Sequence, residues 1–166
     1  MYEKSIDLLN RAVADELSAV HQYMYFHFHL DDQGYDLLSG LFRRIAIQEM
    51  GHVEILAERI LFLKGEVKMV VGQDVEPIQE VTKMLEKATQ MEASSARDYN
   101  LWANESAANA DSVTKKIFEQ LVADEEMHFD QYDTEFDNVK KFGERYLALQ
   151  SIERSKSLAA GAPAAE

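Results

Sequence analysis

"IQEMGHVEIL", residues 47–56, and "ADEEMHFDQY", residues 123–132, decide the fold. In the first, Glu49 and His52 stand three apart; in the second, Glu125 and His128 do the same. Both runs have the three-and-four spacing of apolar residues that marks a packed helix. Each acid–histidine pair falls on the apolar seam, where a core residue normally sits.

The same seam runs through four long segments. Residues 3–31 carry Ile6, Leu9, Val13, Glu16, Val20, Tyr23, His27 and Leu30. Residues 36–63 carry Leu38, Phe42, Ile45, Glu49, His52, Leu56, Ile60 and Leu63. Residues 77–104 carry Ile78, Val81, Leu85, Ala88, Glu92, Ser95, Tyr99 and Trp102. Residues 112–141, with Asp111 as N-cap, carry Phe118, Leu121, Glu125, His128, Tyr132, Phe136 and Val139. Gly34, Gly65 and Gly143 punctuate the pattern. A short fifth amphipathic piece, "ERYLALQSIERS", follows, and the small-residue tail over 157–166 is expected to be loose. Residues 1–156 read as one domain.

Link lengths set the order of the helices. About four residues join the first pair and the last pair, which makes two antiparallel hairpins. The middle link, "GEVKMVVGQDVEP", reaches roughly 45 Å when extended. A 28-residue helix is about 42 Å long. The link can therefore travel the whole bundle. The expected fold is all-α: a ferritin-like four-helix bundle with one long crossover and a short C-terminal fifth helix.

The hairpins also repeat each other. Glu16 to Glu49 is 33 residues, as is Glu92 to Glu125, and the two sets are offset by 76. Tyr23 follows Glu16 by seven, and Tyr99 follows Glu92 by seven. Such a repeat packs about a pseudo-twofold axis. It would gather Glu16, Glu49, His52, Glu92, Glu125 and His128 in one buried layer. Four buried carboxylates without cations would cost several kcal/mol each or take up protons. Two metal ions remove that cost. Carboxylate with imidazole suits iron or manganese, and zinc fits the same donors. The competing reading is exposed charge on wrongly phased helices, which needs one phasing error repeated in all four.

Composition narrows the functions. At 166 residues and 46% hydrophobic, the chain can bury a core. A net charge of −13 argues against nucleic acid and favours cations as partners. The absence of cysteine removes thiolate sites and disulfides and fits a reducing compartment. The N-terminus has no apolar leader segment, and no run approaches the ~20 residues of a membrane span. A soluble cytoplasmic protein is expected.

The stretches "RAVADELSAVHQY", "IQEMGHVEILAERILFLKGE" and "LVADEEMHFDQYDTE" resemble those of the bacterioferritins, within the ferritin-like di-iron carboxylate proteins. The likeness covers about residues 5–152. It implies iron storage: a ferroxidase centre oxidises Fe(II) with O2 or H2O2, and the mineral collects inside a 24-subunit shell built from twofold dimers. The fifth helix would contribute near the fourfold axes. Glu49 with His52 would bind one iron and Glu125 with His128 the other. Glu49 and Glu125 would bridge them, and Glu16 and Glu92 would be terminal ligands. Tyr23 matches a tyrosine beside the centre, a hydrogen-bond donor or electron source; without the resemblance it is a core aromatic. Met50 matches the methionine that, with its copy in a second subunit, ligates haem b. A ferredoxin-like reductant would then supply electrons. Read alone, Met50 is a flexible filler of a subunit interface.

Departures from the family pattern are definite. His21, Met24 and Gly51 stand where Asn, Phe and Lys are expected around the haem. Arg44 and Gln48 replace a His and an Asp that some members carry on the inner surface as a secondary iron site. His21, His27 and His29 read as ordinary core or surface histidines. The competing functions are a di-iron or di-manganese peroxidase or catalase, and a mini-ferritin-like stress protein. Mini-ferritins place the centre between subunits and lack the fifth helix.

Overall fold

A computed structural model describes residues 2–161, without the side chains of Arg154, Ser157, Leu158, Ala159 and Gly161. Five helices follow one another: α1 (Glu3–Asp32), α2 (Asp36–Phe62), α3 (Val81–Ala108), α4 (Ser112–Phe142) and α5 (Glu144–Gly161). α1 packs along α2, and α3 along α4. The turns between them are three residues each, 33–35 and 109–111. At the first, Gly34 takes φ +84°, a left-handed conformation that costs glycine little. At the second, Asp111 caps α4 by accepting from Thr114 N–H. Asp111 also pairs with the half-buried Arg59 of α2 at 2.6 Å, which ties one hairpin to the turn of the other.

The crossover spans 63–80 and lies along α1. Three polar residues of α1 hold its backbone. Asn10 donates to Glu66 O (3.0 Å) and accepts from Lys68 N–H (2.8 Å). Gln22 donates to Glu76 O (3.0 Å) and accepts from Glu76 N–H (2.8 Å). Ser18 Oγ accepts from Gly72 and Gln73 N–H. An extended segment makes few backbone bonds of its own, here Val70 N–H to Lys68 O, Gly72 N–H to Ala14 O and Ile78 N–H to Glu76 O, so these side chains satisfy further groups.

The core is in two parts. One cluster includes Tyr23, Phe26, Phe42, Ile45, Leu85 and Tyr132. The other includes Leu9, Val13, Leu56, Ile60, Tyr99 and Phe118. All twelve are at most 1% exposed or fully buried.

Three boundaries differ from the sequence reading. α3 begins at Val81 rather than 77 and runs on to Ala108. Its first expected residues belong to the strap instead, where Gln33 bonds Gln79 O and Ile78 packs on the first core cluster. α5 continues past 155 to Gly161, so five residues of the expected tail are helical, and 162–166 lie outside the described residues. The apolar residues of α5 also do not share one side. Tyr146 and Leu147 pack against the bundle and Gln150 is buried, accepting from Leu38 N–H. Leu149 and Ile152 face outward.

Candidate metal centre

Between the two core clusters lies a polar layer. α1 places Glu16 there, α2 Glu49 and His52, α3 Glu92, and α4 Glu125 and His128. None of the six is more than 6% exposed. They form two overlapping sets: Glu16, Glu49, His52 and Glu125; and Glu49, Glu92, Glu125 and His128. Within each set the candidate ligand atoms lie within 4.8 Å of one another.

Glu49 and Glu125 divide their oxygens between the sets. His52 Nδ1 is 2.8 Å from Glu49 Oε2 and 3.2 Å from Glu125 Oε1. His128 Nδ1 is 3.1 Å from Glu49 Oε1 and 3.8 Å from Glu125 Oε2. Of the two imidazoles, Glu16 stands by that of His52 (3.5 Å) and Glu92 by that of His128 (3.7 Å). The two imidazoles stack at 5.9 Å. Among the described residues, Glu49 Oε2, His52 Nδ1 and Glu125 Oε1 are buried with no hydrogen bond, although they lie close together. Orphaned donor atoms converging on one point suit a cation, and carboxylates with imidazole suit iron.

Electrostatics agrees. Burial, then the charges of Glu125 and Glu49, pushes the Glu16 carboxyl well above its usual range. Burial and Glu49 do the same to Glu92. Burial opposes the charged form of Glu125 too, but His128 and His52 hold it down to about 2. His128 resists burial and is pushed up to about 12 by Glu125, Glu49 and Glu92. His52 is raised by Glu125, Glu16 and Glu49 against the same burial. Without cations, protons hold this layer together.

The hairpins brace each other through tyrosines. Tyr23 donates to Glu92 Oε1 at 2.5 Å, and Tyr99 to Glu16 Oε1 at 2.7 Å. Each phenol reaches across to the opposite hairpin's carboxylate. Tyr99 was legible in the 76-residue repeat and was not read as a site residue. Asp124 was missed as well; its Oδ2 is 3.4 Å from His52 Nε2.

A Ferritin-like domain model matches residues 6–142. The chain is 37% identical to bacterioferritin from Desulfovibrio desulfuricans, over 98% of this chain and 94% of that one. It is 36% identical to bacterioferritin from Brucella melitensis, over 89% and 92%. The chain belongs to the bacterioferritins. Family membership agrees with the bundle, its single crossover and its fifth helix. An X-ray structure of the Desulfovibrio desulfuricans bacterioferritin, concerned with its diiron site in different catalytic states, superposes with a TM-score of 0.88 at 35% identity. That match covers 89% of this chain and 86% of the other.

The remaining singled-out residues lie outside the layer. Met50 is on the outward side of α2 and 59% exposed. Arg44 and Gln48 are exposed, and Arg44 bonds Gln131 at 3.0 Å. The three histidines of α1 do not cluster: His21 is exposed, His27 bonds Ser39, and His29 packs on Tyr25.

Proposed function

We propose that this chain is an iron-storage ferroxidase, which oxidises Fe(II) at the buried layer and keeps the ferric product inside a multisubunit shell. The division of the Glu49 and Glu125 oxygens between His52 and His128 carries this reading, because it is the geometry of two carboxylates bridging two ions. Glu16 and Glu92 each add one carboxylate to one ion. Two Fe(II) together supply two electrons, which reduce O2 to H2O2, or H2O2 to water, with uptake of two protons. The chain's part is to hold both ions, exclude water and release protons. Entering iron would displace the protons that carboxyls and imidazoles carry in this layer, and those protons would pass to solvent or to the oxygen species being reduced. Tyr23 and Tyr99 orient the terminal carboxylates.

Met50 would hold a haem b jointly with Met50 of a second copy, and its exposed thioether fits a ligand shared across a twofold axis. The haem would carry electrons inward from a ferredoxin-like reductant to release stored iron. The shell would have 24 subunits, with Leu149 and Ile152 of α5 meeting their copies. None of the described helices is long and apolar enough to cross a membrane, and a cysteine-free chain suits the cytoplasm.

Stopped-flow oxidation of the first two Fe(II) per subunit tests the centre. Glu16→Ala and Glu92→Ala should each slow it at least about tenfold, the scale of losing an anchoring group. Rates equal to the parent would refute the site. Deleting 144–166 should leave a bundle that oxidises iron yet forms no closed shell by light scattering, whereas deleting only 157–166 should leave the shell intact.

A further inference from the structure

The two halves of the metal layer differ at the far side of their imidazoles. His52 Nδ1 faces the carboxylates, so its Nε2 points away, and Asp124 Oδ2 stands 3.4 Å from it. Asp124 is itself held: Gln120 Nε2 donates to Asp124 Oδ1 at 3.0 Å, one turn earlier on α4. Gln120, Asp124 and His52 thus make a line from the helix surface to the layer.

His128 has no such support. Its Nδ1 also faces the carboxylates, but its Nε2 is buried without a hydrogen-bond partner among the described residues. The 76-residue repeat places Gln48 opposite Asp124, and Gln48 is neutral and exposed.

Physical chemistry turns this difference into a difference in affinity. An imidazole that binds metal through Nδ1 must carry its proton on Nε2. A carboxylate beside Nε2 fixes that tautomer, orients the ring and raises its basicity. It also adds negative charge near one ion and not near the other. We propose that Asp124 is a positioning residue that makes the metal position at His52 tighter than the one at His128. The ion at His52 enters first and stays, and the ion at His128 is the exchangeable one.

This inference rests on the two-metal reading above, and the test separates them. Anaerobic titration of the full-length protein with Co(II), followed by calorimetry and visible spectra, reads binding without any oxidation. The parent should take up two ions per subunit in steps at least about tenfold apart in affinity. Asp124→Asn should weaken the first step about 10- to 100-fold and leave the second in place, so that the steps merge. Gln120→Leu should shift the first step the same way by a smaller factor. Gln48→Asp should tighten the second step. His128→Ala should keep the tight step, and His52→Ala should lose it. Two bound ions with Asp124→Asn silent, or both steps weakened equally, would overturn the proposal and spare the two-metal reading. A parent that binds no Co(II) in the layer would remove both.

Discussion

The two helical hairpins share a plan in the middle and part company at the edges. In the polar layer, α1/α2 and α3/α4 supply the same residues at the same intervals, down to the tyrosine that reaches across to the other hairpin's carboxylate. At the periphery the repeat breaks. Asn10, Ser18 and Gln22 of the first hairpin grip the crossover. Their counterparts in the second are Glu86, Ser94 and Asp98, which bind no strap. Met50 faces outward from α2, and its counterpart on α4 is the exposed Glu126. The pseudo-symmetry holds in the buried layer, where each hairpin supplies two glutamates, a histidine and a tyrosine. It lapses where the side chains of one hairpin bond the backbone of the returning chain, while the other hairpin reaches it through the Lys87–Glu76 ion pair.

The largest effect expected concerns Met50, where the repeat is most one-sided. Protein produced with ample haem should show a low-spin spectrum at about one haem per two subunits, the ratio of a shared ligand pair. Met50→Leu keeps the side chain's volume and should abolish that spectrum while assembly, by light scattering, is unchanged. Haem retained by the variant would exclude this ligand.

Next is the layer in which the hairpins agree. Saturating it with Zn(II) at about 100 times each dissociation constant should raise unfolding stability by roughly 5 kcal/mol for two sites. The sign with pH follows from the protons present. Glu16, Glu92 and His128 hold protons above their usual range, so metal must displace them. With the Zn(II) concentration then held constant, proton competition raises the dissociation constants at lower pH, so the stabilisation should shrink as pH falls and grow as pH rises, in denaturant melts run with and without Zn(II). Stabilisation that ignores pH would contradict a proton-filled layer.

The turn of the second hairpin gives a third test. Asp111→Ala leaves Arg59 half-buried without its partner and removes the α4 cap, at a cost of about 3–5 kcal/mol. Burial raises the Asp111 carboxyl, but hydrogen bonds from Thr114 and Ser5 and the Arg59 charge hold it below its usual range. Its contribution is thus full above the ordinary aspartate pKa near 4 and is lost as pH falls through the lower folded value. The variant's acid-unfolding limb should be flatter. The smallest effect separates strap from no strap: Asn10→Ala should cost about 1–3 kcal/mol through unsatisfied backbone groups, and its counterpart Glu86→Ala less than about 0.5. Equal losses would dissolve the distinction.

What was legible in the sequence was what repeats along one helix. The seams locate both cores and bring Glu16, Glu49, His52, Glu92, Glu125 and His128 to one level, because helical period is a local property. Crossover length fixes the topology, because reach is a property of residue number. The strap bonds were not legible. Asn10 and Gln22 meet backbone more than fifty residues away, and no periodicity records such a partner. The same bonds explain why α3 starts late, since residues claimed by the strap are withheld from the helix. Asp124 is a neighbour of Glu125 that looks like any surface acid until α2 is laid beside it.

The ligands' distribution between hairpins also bears on how the chain matures. Each hairpin closes through a three-residue turn, so its contacts are local and quick to form. The first hairpin alone carries Glu16, Glu49 and His52, and lacks the Glu125 carboxylate that belongs to the same group. About eighteen residues of strap must then be laid down before the second hairpin can turn back and dock. Neither hairpin alone presents a full ligand set, so a nascent chain cannot trap a metal ion tightly before its two halves meet. A set of side chains drawn from both hairpins is therefore complete only once the two halves of the bundle have met.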